Sequence, residues 1–279
     1  SLVLTIDSTI QELLEKELEK AHEGAQANAA YGLVMDVETG GILAMSNQLD
    51  YNLNEPYTVC NEEALAEIEA IEDEEEQRQA LINARYAQWR NRTISDTYEP
   101  GSVFKVITLA AALEEGVVNE NTSYSCSGGI QVADNYIKCH KRDGHGSQNL
   151  QKGLMNSCNP FFITVGQKLG VEKFCEYFEA FGFTQKTGID LTGEAAPKAG
   201  VTYHEQKNMG ISQLSSASFG QTFQVSPIQM ITAIAAIANG GKLMKPYVVA
   251  KQLDEKGNII KETQPIVKRQ VVSESTAKR

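Results

Sequence analysis

The chain has 279 residues, 42% of them hydrophobic and 22% charged, which is ordinary for a globular protein of one large or two smaller domains. Its 25 basic and 36 acidic residues give a net charge of −11, which argues against binding to nucleic acid or to an anionic membrane surface through bulk electrostatics. No stretch approaches the roughly 18 apolar residues of a membrane span, and Ser1 to Leu4 lack the basic region of a signal peptide. Because a strand-like segment begins at once, over residues 2–6, we expect an excised domain.

A helix and a β-hairpin follow this first strand. The helix is predicted over residues 8–22, where Asp7 or Ser8 can cap it and leucines recur on one face. Residues 29–37 and 42–46 are strand-like and are joined by a glycine-containing turn, so they predict a hairpin. The chain therefore has an antiparallel α/β beginning.

A charged stretch over residues 61–90 has the apolar spacing of helices. Its acidic cluster, residues 72–76, is expected to be a solvated helix face or a turn between two helices rather than a metal site.

A serine and a lysine, Ser102 and Lys105, stand three residues apart where a long apolar run begins. The run predicts a buried helix that ends at Gly116, and residues three apart share a helix face, so the Lys105 amine can reach the Ser102 hydroxyl. That is the arrangement of a nucleophile with its general base. The alternative is that Ser102 only caps the helix, but the preceding Pro100-Gly101 turn and the helix N-terminus favour the catalytic interpretation.

Five cysteines contain no C-x-x-C pair. Cys126 and Cys139 flank a hairpin predicted over residues 130–137, and a disulfide between them is one open outcome if the domain is extracytoplasmic. With His140 and His145 they also offer four ligands for a tetrahedral metal site, but the spacing fits no common zinc motif, so we expect no metal. Two further cysteines, Cys158 and Cys175, are predicted to be buried, inert thiols.

A second polar motif, Ser157-Cys158-Asn159, lies in a tight connection between two predicted helices. The second of these helices has Pro160 at its first position and Asn159 as its cap, and it ends at Gly170. The simplest interpretation is that Asn159 caps and Ser157 turns, although the same turn can also present both side chains to a site.

The remaining segments predict further helices and one hairpin. Ser147 is expected to cap a helix over 148–155, a buried helix is predicted over 227–239, a hairpin over 248–260, and a last helix from Ser273 or Ser275.

The Lys186-Thr187-Gly188 triplet has the composition of a third signature that accompanies S-x-x-K and S-x-N. We reject it as catalytic because the residues that follow it predict a turn-rich loop, whereas the functional triplet lies on a strand.

In this order the motifs resemble the transpeptidase domain of class B penicillin-binding proteins of the division and sporulation type. The match rests on segments spread over nearly the whole chain: Leu4-Thr5-Ile6-Asp7, Tyr98 to Lys105, Asn156 to Pro160, Thr187 to Leu191, Gly220-Gln221 and Pro227-Ile228-Gln229. The resemblance implies an α+β fold, related to that of serine β-lactamases, with an antiparallel sheet flanked by helices and an all-helical subdomain. It divides the chain into an α/β part (1–60), a charged helical insertion (61–92), a mainly helical part carrying both motifs (93–200) and a return to the α/β part (201–279).

The resemblance also implies roles for four residues. Ser102 would attack the penultimate D-Ala carbonyl of a peptidoglycan stem peptide, Lys105 would take its proton, Ser157 would relay protons, and Asn159 would hold Lys105 and the substrate amide. A β-lactam antibiotic would trap the same serine. No cofactor and no metal are implied.

The family's catalytic K-T-G strand follows the segment that ends here at Arg279, so we expect the C-terminal strands to be absent and residues 1–279 to be inactive alone. A lysine pKa near 10.4 must fall to roughly 7–8 for base catalysis, and a helix N-terminus supplies only about 0.3–1 kcal/mol, so burial and a second cation are expected to supply the rest. Helices 8–22 and 227–239 should expose the apolar faces that the absent strands would cover.

The implied partners are stem peptides, β-lactams, a glycosyltransferase, and a second chain that supplies the K-T-G strand, with no nucleic acid. The implied location is the extracytoplasmic face of the bacterial cell membrane in the parent protein. The alternative function is a penicillin-recognising sensor or a non-catalytic scaffold.

Overall fold

The computed structural model describes residues 1–48 and 50–279. Its α-helices are α1 (Ser8–Ala25), α2 (Glu62–Glu69), α3 (Glu74–Gln88), α4 (Arg92–Ser95), α5 (Lys105–Glu114), α6 (Leu150–Met155), α7 (Asn159–Ala180), α8 (Ile211–Ala217), α9 (Pro227–Ala238) and α10 (Glu274–Ala277). Its strands are β1 (Leu2–Leu4), β2 (Tyr31–Met35), β3 (Ile42–Asn47), β4 (Ser123–Cys126), β5 (Gly129–Val132), β6 (Asn135–Lys138), β7 (Gly146–Asn149), β8 (Lys242–Met244), β9 (Val249–Leu253), β10 (Ile259–Glu262) and β11 (Val267–Gln270). Short 3-10 helices cover Gly101–Phe104 and Gln206–Asn208.

The α/β part brings the two ends of the chain together. Strand β9 lies between β1 and β10 in an antiparallel sheet, with Val3 opposite Lys251. Thr5 then connects this sheet to the β2–β3 hairpin, because its N–H donates to the Val248 carbonyl at 2.8 Å and its hydroxyl donates to the Ile42 carbonyl at 2.6 Å. The predicted first strand, the hairpins and the antiparallel pairing are confirmed.

Helix α1 lies against β3 and is capped by Asp7, whose carboxylate accepts from the N–H groups of Thr9 and Ile10. None of its residues is fully buried, and Leu13 is 58% exposed, as expected for its apolar face. The charged stretch that follows forms α2 and α3, with Asp73 as the cap of α3, so the acidic cluster is the turn between two helices and the first turn of the second.

The main core surrounds Phe104, which contacts a group of aromatic rings at centroid distances of 4.7–6.1 Å: Phe174, Phe178, Phe183 and Phe223. Helix α9 contributes to the cores on both sides, and Ile228, Ala233 and Ala236 in it are fully buried. The expectation that the helix over 227–239 exposes an apolar face is therefore wrong, because α5, β2 and β8 contact it. Among residues 1–48 and 50–279, no helix combines the length and apolar character needed to cross a bilayer.

The part that carries both motifs also contains two small antiparallel sheets, β4 with β7 and β5 with β6. The sequence predicted that Ser147 caps the following helix, and that prediction is wrong. Ser147 lies within β7, and the side chain of Asn149 accepts from the Lys152 N–H instead. The predicted stop at Gly170 is a break inside α7, where this glycine has φ +80° and ψ 162°.

The Lys186-Thr187-Gly188 triplet, which was rejected as catalytic, lies in a loop held by hydrogen bonds between its own polar groups. The Glu194 carboxylate accepts from the Thr187 N–H at 2.5 Å, from its hydroxyl at 2.6 Å and from the Gly188 N–H at 3.1 Å. Both polar groups of Thr187 are therefore used in hydrogen bonds that stabilise the loop.

Candidate active site

Ser102 is presented at the surface by a backbone turn that a second turn holds from behind. The N–H of Gly101 donates to the Gly220 carbonyl at 2.8 Å, and Tyr98 exchanges backbone hydrogen bonds with Val225. Gly101 and Gly220 have φ of +58° and +87°, values that favour glycine. A Cβ on Gly220 would lie 1.9 Å from the Gly101 carbonyl oxygen, so only glycine allows the two turns to approach this closely.

Below Ser102 lies Lys105, one 3-10 turn further along the same helical segment and 1% exposed. Its Nζ is surrounded by four oxygens: Ser102 Oγ at 3.0 Å, the Ser157 carbonyl at 2.8 Å, Ser157 Oγ at 2.8 Å and Asn159 Oδ1 at 2.7 Å. The structure thus brings together all four residues that the sequence proposed for the site.

The four oxygens around Nζ can be compared with the hydrogen-bonding capacity of the neutral and the protonated Lys105 amine. The Ser157 carbonyl and Asn159 Oδ1 can only accept, so they take two N–H groups. A neutral amine has two such N–H groups and one lone pair, and that lone pair can accept the hydroxyl proton of Ser102. A protonated amine has three N–H groups and no lone pair, so it can only donate to Ser102. The Ser157 hydroxyl donates to Ser102 Oγ, so Ser157 Oγ is a third acceptor for Nζ. Three acceptors match the three N–H groups of a protonated amine, and Lys105 can take the Ser102 proton only after it has lost one of them.

Ser157 contacts both members of the first pair. Its hydroxyl donates to Ser102 Oγ at 2.9 Å and lies 2.8 Å from Lys105 Nζ. Its backbone has φ +46°, a left-handed conformation that costs a residue other than glycine on the order of 1–3 kcal/mol. This conformation turns both its carbonyl and its hydroxyl toward Lys105.

Asn159 was predicted to cap the following helix, and that prediction is wrong. The helix begins with Cys158 at the cap position, Asn159 as its first residue and Pro160 as its second. The amide oxygen of Asn159 is consequently available to Lys105. The interhelical turn was predicted correctly, but the partner of this side chain lies 54 residues away in sequence, which local capping rules do not consider.

Sequence comparison places these residues in a known family. The family model described as "Penicillin binding protein transpeptidase domain" matches residues 30–279. The chain belongs to this family. It is 36% identical over 278 residues to stage V sporulation protein D of Bacillus subtilis, covering 99% of this chain and 39% of that protein. It is 27% identical over 251 residues to the probable peptidoglycan D,D-transpeptidase FtsI of Caulobacter vibrioides, covering 89% of this chain and 36% of that protein.

Solved structures agree with the transpeptidase-domain fold. The D,D-transpeptidase domain of a peptidoglycan glycosyltransferase from Eggerthella lenta superimposes with a TM-score of 0.79 at 27% identity, over 99% of this chain and 63% of that one. The α+β class and the class B assignment that the sequence predicted are confirmed. The chain spans less than two fifths of the lengths of the two curated relatives named above.

Within this transpeptidase domain the electrostatics of Lys105 follow from burial. Desolvation lowers the pKa of Lys105 to about 8, although the nearby Cys158 and Cys139 act in the opposite direction. The ring of Phe162, 5.6 Å from Nζ, forms part of the apolar wall. From the sequence, a second cation was expected to lower the pKa of Lys105 in addition to burial. In the structure, burial alone accounts for most of the expected decrease.

Behind the motif lies a cluster of sulfur and nitrogen ligands that the sequence identified only in part. Ligand atoms of Cys126, Cys139, His145 and Cys158 all lie within 4.8 Å of one another. The candidate set named from the sequence was therefore wrong in one member, because Cys158 takes the place of His140. Cys126 and Cys139 are free thiols rather than a disulfide, and Cys158 is one of three converging cysteines rather than an isolated thiol. Only the fold could show this, since the four residues come from separate segments.

Proposed function

We propose that this domain is the acyl-transfer part of a peptidoglycan D,D-transpeptidase that cross-links stem peptides through a serine acyl-enzyme. The observation that carries the proposal is the contact of Ser102 Oγ with Lys105 Nζ at 3.0 Å, at a lysine whose burial lowers its pKa to about 8. An exposed hydroxyl in direct contact with a buried, weakly basic amine is an activated nucleophile.

The chemistry proceeds in two steps. Ser102 Oγ attacks the penultimate D-Ala carbonyl while its proton passes to Lys105, and the C–N bond then breaks as the leaving amine of terminal D-Ala takes up a proton through Ser157. An amine of a second stem peptide then attacks the ester, which forms the cross-link and returns the proton to Ser102. The role of Asn159 is to hold Lys105 and to meet the substrate amide.

A β-lactam tests this assignment because it acylates the same serine without needing a second stem peptide. With a fluorescent penicillin we expect covalent label on Ser102, located by peptide mass spectrometry, and its loss in Ser102→Ala. The matched control is Ser123→Ala, which removes an exposed hydroxyl from β4 and should label normally. Label that persists in Ser102→Ala would contradict the assignment.

We also propose that residues 1–279 by themselves acylate slowly. Burial lowers the pKa of Lys105 only to about 8, and no second cation that would lower it further is found among its Nζ contacts in the described part of the chain. Rapid, stoichiometric labelling would refute this. Labelling that never leads to a cross-linked product, in a longer chain that includes a K-T-G strand, would favour the alternative of a penicillin-recognising sensor. Unchanged biological function after Ser102→Ala would favour a scaffold.

The stem-peptide substrate places the proposed activity on the extracytoplasmic face of the bacterial cell membrane, in a parent protein of the division or sporulation type. A glycosyltransferase partner and a segment or chain that supplies the K-T-G strand are part of the same proposal.

A further inference from the structure

A compact set of metal-binding side chains lies directly behind the Ser157–Asn159 turn. The Sγ atoms of Cys126, Cys139 and Cys158 and a ring nitrogen of His145 all lie within 4.8 Å of one another. The three cysteines are at most 2% exposed, and His145 is half-buried. We propose that these four side chains bind one zinc ion in a structural site.

The spacing suits tetrahedral coordination. With zinc–sulfur and zinc–nitrogen bonds of about 2.3 and 2.05 Å, tetrahedral angles place two sulfurs about 3.8 Å apart and a sulfur about 3.6 Å from a nitrogen. Cys139 Sγ lies 3.5 Å from His145 Nδ1, and the other pairs are within 4.8 Å. Three thiolates and one imidazole form a common structural zinc set, and soft sulfur ligands select against magnesium and calcium.

A buried amide beside the cluster supports the same conclusion. The side chain of Gln148 is 2% exposed and lies beside Cys158. Its oxygen accepts from Asn156 Nδ2 at 3.1 Å, which fixes the orientation of the amide. Its Nε2 is the buried side-chain donor that lacks an acceptor in the described part of the chain. A metal-bound thiolate at Cys158 would supply that acceptor, as the outer partners of metal ligands commonly do.

A disulfide explains the arrangement less well. A disulfide would join two of the three thiols and would leave the third thiol and His145 with no role. The metal uses all four groups, which come from the end of β4, the segments before and after residues 140–144, and the cap of α7.

The ion would also position the candidate active site, and this part rests on the proposed function. Cys158 lies between Ser157, which holds a left-handed conformation, and Asn159. Both neighbours contact Lys105 Nζ. Fixing the Cys158 side chain to zinc would therefore hold the three oxygens that Ser157 and Asn159 direct at Lys105 Nζ in place.

The first experiment measures metal. The protein is purified with a reductant and without chelator, and zinc is determined per chain by plasma mass spectrometry. We expect about one equivalent in the wild type and in the control Cys60→Ser/Cys175→Ser, which changes the two cysteines outside the cluster, and a loss of at least tenfold in Cys126→Ser, Cys139→Ser or His145→Gln. Cobalt added to the chelator-treated control should give thiolate charge-transfer and tetrahedral ligand-field bands.

A second variant keeps the proposal testable if the cysteine variants do not fold. Gln148→Met retains the shape of the side chain without its N–H, and it should weaken zinc binding about 10- to 100-fold in competition with a chelating dye. The proposal is overturned by two results: absence of both zinc and the cobalt bands in the control protein, or an intact mass two hydrogens lower that shows a disulfide within the cluster.

Labelling with fluorescent penicillin tests the positioning role separately. We expect the rate to fall at least tenfold when zinc is removed and to recover when zinc is added back. Bound zinc with an unchanged rate after its removal would overturn the positioning role alone. One equivalent of zinc in a protein that never labels Ser102 would contradict the proposed function and leave the metal site standing.

Discussion

Replacing Lys105 by methionine tests whether the structure holds a lysine whose charge is costly. Burial lowers the pKa of Lys105 from 10.5 to about 8. At about 1.36 kcal/mol per pKa unit, the folded state loses about 3.4 kcal/mol by carrying the charged form near pH 7. Because the folded pKa lies below the unfolded one, this penalty is fully present below pH 8 and is relieved as the pH rises toward 10.5.

The expected size of the effect follows from the two pKa values. Between pH 7 and pH 10, relief of the penalty should raise the unfolding free energy of the wild type by about 2.5 kcal/mol relative to Lys105→Met. The variant also loses the hydrogen bonds of Nζ. The part of that loss that depends on protonation is already contained in the folded pKa, and the remainder is the same at both pH values and cancels in the comparison.

Urea denaturation of both proteins at pH 7 and pH 10 measures this difference. Lys168→Met, which removes an exposed lysine from α7, is the control and should follow the wild type across the range. Parallel pH dependences for the wild type and Lys105→Met would refute the reasoning, because Lys105 would then titrate alike in the folded and unfolded chains. The same pKa predicts that the labelling rate of Ser102 rises with a midpoint near pH 8.

Two further variants test the surroundings of this pair. Asn159→Asp places a carboxylate 2.7 Å from Lys105 Nζ and should raise the pKa of Lys105 by about 1–3 units, which moves the midpoint of the labelling profile upward. Asn208→Asp adds the same charge at an exposed position, and an upward shift in both variants would contradict the local mechanism. Gly220→Ala would place a methyl group 1.9 Å from a facing carbonyl oxygen and should reduce labelling at least tenfold and lower the melting temperature. Gly257→Ala also has positive φ, +84°, but meets nothing within 4 Å, so an equal loss in both would assign the effect to φ strain instead of the clash.

Sequence patterns predicted the parts of the structure that depend on near neighbours. The Ser102–Lys105 contact needs only the rise of one helical turn, and the β2–β3 hairpin needs only a short turn between two strand-like runs. The convergence of Ser157 and Asn159 on Lys105 came from the family resemblance, since nothing local joins segments 52 and 54 residues apart.

The errors have a common physical cause. Capping rules predicted that Asn159 and Ser147 each cap the helix that follows. In the structure, contacts with other parts of the fold determine the positions of both residues. The same limitation placed His140 instead of Cys158 in the ligand set, because sequence proximity favours a neighbour and the fold supplies a residue from another segment.

The three residues of the turn 157–159 each face a different partner, and this explains how the turn keeps a strained conformation. The φ of +46° at Ser157 costs on the order of 1–3 kcal/mol. In this conformation the side chain contacts Lys105 and Ser102. Cys158 is fully buried in the sulfur cluster, and Asn159 is bound to Nζ at 2.7 Å. A glycine at 157 would relieve the strain but would remove the hydroxyl that joins the serine and the lysine. The strained conformation is therefore held on one side by the candidate active site and on the other by the sulfur cluster. A change in either one acts on the position of the same three oxygens around Lys105 Nζ.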